Sequence, residues 1–312
     1  MGHLRHFPGI PGEFPVRGLF SVLLEWFNQL DQSFLSVYRE EIRYHGLQPN
    51  IAIRIDAGPI TVPACISSGR GIELYESFLQ YLWCIGYSAH VFFREGFMNP
   101  KLEGRFRGVL DVENQFMQKA ERVFQMALEM RNSFSPLEFD QLPNPIEHDP
   151  IDKEYVEKAN AIYAAAGSFI ILHEFAHHYL GHLQVEANNE QSKLDELAAD
   201  NYALDVIKQS MGTDQRRDVT HVLGVSTALI AVMILDSELD GGSRHPRPDV
   251  RLANAVEALG IDDDSQWAAL CMGLYLWAKT HPHEIMVPRT IESFKDMFYI
   301  ILRQMQTHRV DP

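Results

Sequence analysis

His173, Glu174 and His177 stand at the spacing H-E-x-x-H inside Gly167–His182, which reads GSFIILHEFAHHYLGH. On a helix, residues four apart share a face, so His173 and His177 can turn two imidazoles toward one metal ion. Glu174, beside them, is placed to take a proton from a metal-activated water, general-base chemistry aimed at a carbonyl carbon. The apolar run Phe169–Leu172 ahead of the motif would bury the helix and leave a metal at the floor of a cleft. Such a pattern also arises by chance, so its weight depends on a third ligand at a usable spacing.

Glu196 supplies one. It lies in Asp195–Leu204, DELAADNYAL, where Leu194, Leu197, Ala198, Tyr202, Leu204 and Ile207 form the apolar stripe of a helix over Ser192–Gln209. Catalytic zinc takes three protein ligands and keeps one position open for water, and His173, His177 and Glu196 complete that set. Asp200, four residues on and on the same face, is suited to accept the remaining N–H of a ligand histidine and fix its tautomer. His182 is nine residues after His173; on a continuing helix it would point about 180° away, which predicts a structural or near-surface position. His178 also faces off the metal side.

The pairing of H-E-x-x-H with E-x-x-x-D resembles the gluzincin metallopeptidases. Downstream, His245-Pro246 followed by Arg251 resembles the H-P-x-x-x-x-R segment of the HtpX heat-shock protease and CAAX prenyl protease group, which also carries the E-x-x-A-D form found at Glu196–Asp200. Those proteins are membrane-embedded. A relative without a membrane domain and with similar motifs is the phage-exclusion, Lit-type peptidase. The likeness covers about residues 155–255. It implies a cytoplasmic zinc endopeptidase with a zincin-like helical catalytic domain, acting in phage defence on a protein substrate that in that group is a translation factor. It also implies that His245 and Arg251 serve the reaction, as an oxyanion donor and the anchor of its loop. Two other readings use the same ligands. ImmA-type regulator-cleaving proteases carry H-E-x-x-H, but their glutamate segment reads E-x-E-A-N rather than Glu196–Asp200. A zinc-binding interaction module without catalysis would have no need of Glu174.

These side chains require helices to hold them, and the chain reads as mainly α with a small β hairpin. Apolar periodicity predicts helices over Leu19–Tyr44, Gly71–Glu95, Val109–Arg131, Lys153–Leu183, Ser192–Gln209, Asp214–Leu235, Asp249–Leu259, Ser265–Lys279 and Thr290–Gln306. Alternating Ile51, Ile53 and Ile55, a turn at Gly58-Pro59, then Ile60, Val62 and Ile66 predict the hairpin. Arg94–Arg107 reads as a basic-aromatic surface loop. The proline-rich stretch Ser135–Pro150 divides an N-terminal helical region, 1–134, from a catalytic region, 150–312.

A net charge of -15 argues against a nucleic-acid surface. The longest apolar run, Val222–Leu235, is interrupted by Ser226 and Thr227 and falls short of the roughly 20 residues a membrane span needs. No apolar signal segment is visible in Met1–Phe14, and three widely spaced cysteines fit a reducing cytosol.

Overall fold

The computed structural model describes residues 5–6, 15–55, 59–60, 63–67, 69–105, 113–132, 143–184, 188–211, 215–235, 244–281, 285–286, 288 and 292–307. The helix expected over Leu19–Tyr44 is two helices, α1 (Phe20–Phe27) and α2 (Gln32–Tyr44), after a 3-10 turn at Pro15–Leu19. Asp31 divides them. Its carboxylate accepts from the backbone N–H groups of Ser33 and Phe34, the N-cap arrangement that starts a new helix.

The expected hairpin does not pair with itself. β1 (Arg5–His6), β2 (Ala52–Arg54), β3 (Ala64–Ile66) and β4 (Ile72–Tyr75) form one sheet in the order β1-β2-β4-β3. β2 lies parallel to β4, with Ile53 opposite Leu74, and β3 lies antiparallel to β4, with Cys65 opposite Glu73. The observed hairpin is therefore β3–β4, closed at Ser67–Gly71 with Arg70 in the left-handed region at φ 59°. Gly71–Tyr75, expected as the start of a helix, is mostly strand β4, and α3 (Glu76–Val91) begins only at Glu76. The predicted loop at Arg94–Arg107 is largely helical: α3 passes into a π-helical turn, Phe92–Met98, and a short α4 (Asn99–Leu102). The Gly58 turn, Val62, much of the proline-rich stretch and the Asp240–Gly242 break lie outside the described residues.

The remaining helices fall close to their expected bounds: α5 (Gln115–Met130), α6 (Lys153–Tyr179), α7 (Asn189–Ser210), α8 (Gln215–Leu235), α9 (Pro248–Leu259), α10 (Asp264–Lys279) and α11 (Phe294–Thr307). α6 is the axis of the molecule. From Ile162 to His173 every side chain is buried, so the helix is enclosed on all sides rather than on one stripe. α1, α3, α7 and α8 pack around it, and β3 crosses its C-terminal part. Two glycines allow the closest approaches. A Cβ at Gly167 would fall 2.6 Å from Leu23 Cδ1 of α1, and one at Gly224 of α8 would fall 2.5 Å from Ala165 Cβ and 2.9 Å from the Ala165 backbone. α8 is thereby seated almost on the backbone of α6. One apolar cluster runs from Val16 to Met305. Among the described residues no helix is long and apolar enough to cross a membrane.

Candidate metal centre and cleft

α6 turns His173 and His177 to one side, and α7, running beside it, presents Glu196 and Asp200 to the same point. The Nε2 atoms of the two histidines are 3.1 Å apart. Glu196 Oε2 is 3.4 Å from His173 Nε2, and its Oε1 is 3.4 Å from His177 Nε2. With metal–ligand bonds of about 2.0–2.1 Å, neighbouring ligand atoms of a tetrahedral site stand about 3.3–3.4 Å apart. The two imidazole nitrogens and the Glu196 carboxylate, one oxygen toward each ring, stand close to that spacing, and one donor atom from each residue lies within 4.8 Å of the others. Among the described residues this is the cluster able to hold a metal ion.

Behind these three side chains, His173 Nδ1 is 2.9 Å from Asp200 Oδ1, and the N–H donates to the carboxylate. Arg251 of α9 completes the chain with a two-pronged contact, Nε to Asp200 Oδ2 at 2.6 Å and Nη2 to Oδ1 at 2.8 Å. Asp200 is thus held from both sides, and His173 is left with Nε2 as its metal-facing nitrogen. Burial opposes charge on His173, yet its hydrogen bonds to Asp200 and Glu196 carry its pKa up to about 10. Burial also disfavours the charged carboxylates. The histidines nevertheless hold Glu196 well below the usual carboxylate range, and Arg251 holds Asp200 at about 2. In the metal-free protein the two carboxylates are balanced by Arg251 and a protonated His173, and that proton is the one a bound cation would displace.

Glu174 lies on the cleft side of α6. Burial pushes its carboxyl up, while the backbone N–H of Ile66 in β3 donates to it. Among the described residues β3 is an edge strand, and its outer side faces this carboxylate. β3 forms one wall of a cavity of about 610 Å³; Phe169 and Ile170 of α6 and Leu229, Val232 and Met233 of α8 form another. His245 lines the mouth, with its side chain 63 % exposed and Nδ1 3.6 Å from Glu196 Oε2. Its loop is stiffened by a pair absent from the expected site. Arg247 grips the buried Asp249 through Nε and Nη2, at 3.0 and 2.8 Å, in the first turn of α9.

His182 overturns its expectation. α6 stops at Tyr179, Gly181 reverses the chain at φ 79°, and a short 3-10 turn, His182–Gln184, brings the imidazole back. Its Nδ1 sits 3.0 Å from His177 Nδ1. The signal was present in the sequence: a glycine just past an apolar helix is a stop, so a projection along a continuing helix did not apply. His178 points off the metal side, its Nε2 3.1 Å from Glu41 of α2.

A match to the Peptidase U49 family covers residues 72–272, from β4 to α10. It begins well upstream of the stretch that carries the motif likeness. No curated protein and no solved structure matches the chain. The matched segment contains His173, Glu174, His177, Glu196, Asp200, His245 and Arg251, though not β3, and spans 201 of 312 residues (72 to 272 inclusive). The chain belongs to the Peptidase U49 family and is a protease.

Proposed function

We propose that the protein is a zinc-dependent endopeptidase whose metal is held by His173, His177 and Glu196 and whose general base is Glu174. The observation that carries this reading is the convergence of two imidazole nitrogens, 3.1 Å apart, and the Glu196 carboxylate, with an oxygen 3.4 Å from each of them. Two imidazoles and one carboxylate are the donor types of a catalytic zinc site. Bound zinc would supply Lewis acidity, lowering the pKa of a water and polarising the scissile carbonyl.

The chain's own residues do the rest. Glu174 accepts the proton of the attacking water at a carboxylate oxygen and passes it to the leaving amine nitrogen. His245, exposed at the cleft mouth, offers a ring N–H toward the developing oxyanion. Arg251 and Asp200 hold His173 in orientation. The substrate is a protein segment laid in extended form along the open edge of β3, with an apolar side chain in the cavity beside Phe169 and Leu229.

The resemblance of the motifs to the phage-exclusion, Lit-type peptidases points to a role in phage exclusion, with a translation factor as target. Free thiols at Cys65, Cys84 and Cys271 support a cytoplasmic setting. The deciding variant is Glu174→Gln. We expect it to take up one zinc per chain and to lose proteolysis by several orders of magnitude, read as new peptide termini in cells expressing each form. Loss of the metal in this variant would refute the assignment of Glu174 as base rather than ligand.

A further inference from the structure

Each metal-facing imidazole turns its other ring nitrogen to a partner. For His173 the partner is Asp200, which Arg251 holds in turn. For His177 it is His182, whose Nδ1 lies 3.0 Å from His177 Nδ1 with the rings at 72°. On the far side of His182, Nε2 is 3.8 Å from Asp195 Oδ1, and Gln191 Nε2 donates to that same oxygen at 2.7 Å. The side chains of His182 and Asp195 are only 12 % and 14 % exposed, so solvent does little to loosen the arrangement.

Two ring nitrogens at 3.0 Å need one N–H and one lone pair between them. If His177 offers its Nε2 lone pair to a metal, its proton sits on Nδ1, and His177 is the donor of this bond. His182 must then accept at Nδ1 and carry its own proton on Nε2. The Asp195 carboxylate, 3.8 Å from that atom, favours the proton there. The assignment of protons is consistent along the whole chain from Asp195 to His177.

We propose that His182, backed by Asp195, is a positioning residue that sets the tautomer and ring orientation of His177 for metal binding. This rests on the reading of His173, His177 and Glu196 as a metal site. It makes the centre symmetrical in design: one ligand histidine is held by a carboxylate and an arginine from α7 and α9, the other by a histidine on the turn that Gly181 permits.

The test compares the zinc-loaded wild type with His182→Asn and His182→Leu. Asparagine can present a carbonyl oxygen where Nδ1 stood, whereas leucine can accept nothing. Zinc affinity is read by competition with a chromophoric chelator. We expect His182→Leu to bind on the order of 10- to 100-fold more weakly and His182→Asn to recover most of that loss. Long-range proton–nitrogen spectra of the wild type should find the proton of His182 on Nε2 and that of His177 on Nδ1. The tautomer is read on the unaltered protein, so it decides even if the leucine variant fails to fold. Unchanged affinity in a folded His182→Leu, or a proton on His182 Nδ1, would overturn the positioning role and leave the metal site standing. A wild type that takes up no zinc would sink the metal site itself, and the positioning role with it.

Discussion

Asp200 accepts hydrogen bonds from His173 and from both prongs of Arg251 while only 2 % of its surface meets solvent. A buried charge of this kind tolerates the loss of its partner poorly. We expect Arg251→Leu to lower stability by about 3–5 kcal/mol in urea unfolding of the metal-free protein, because Asp200 is left uncompensated. Wild-type stability in this variant would mean that Asp200 is not ionised in the fold. His245 belongs to a different class, exposed and at the cleft mouth. If the proposed zinc is bound, His245→Ala should leave it in place and lower kcat and kcat/KM together by about 10² to 10³, the pattern for a donor that acts on the oxyanion. Cleavage at the wild-type rate would remove His245 from that role. At this scale i, i+4 spacing on a helix made two pairs legible, His173 with His177 and Glu196 with Asp200, and the structure brings the pairs together. His182 was not legible, since a turn rather than a helix carries it.

Among the elements, the helices that hold the site were legible within a few residues because α6, α7 and α9 repeat their apolar residues at helical spacing and are cleanly stopped or capped. Asn188 caps α7, and Gly260 ends α9 at φ 64°. The sheet was not legible. β2 finds its partner in β4, beyond β3, and alternation of apolar residues reports a strand without reporting which strand it pairs with. α3 carries a prediction of its own. His90 is 4 % exposed, and among the described residues neither of its ring nitrogens has a hydrogen-bond partner. Burial lowers its pKa from 6.5 to about 3. Between those values the unfolded chain binds a proton that the folded chain refuses. The stability tied to this neutral histidine is therefore full above about pH 6.5 and is lost as pH falls toward 3. We expect His90→Leu to lose less stability than wild type between pH 7 and pH 5 in urea titrations. Equal losses would assign the acid sensitivity to other groups.

For the whole molecule, a metal held by α6 and α7, with α9 tied in through Arg251, is a cross-link among three helices. A ligand that binds only the folded state stabilises it by mass action, about 4 kcal/mol at a thousandfold excess over Kd. Chelation should therefore lower the melting temperature of the wild type and leave Glu196→Ala unmoved. A wild type indifferent to both zinc and chelator in the same scan would argue against a resident metal. The same architecture bears on the molecule's behaviour in a crowded solution. An open strand edge is a template on which identical chains can stack into fibres, and proteins with such edges need some defence. Here β3 is three residues long, and its open edge faces the Glu174 carboxylate across a cleft bounded by α6 and α8. An edge this short, set against a helix, offers few backbone groups for another sheet to pair with, while a single extended segment needs only a few.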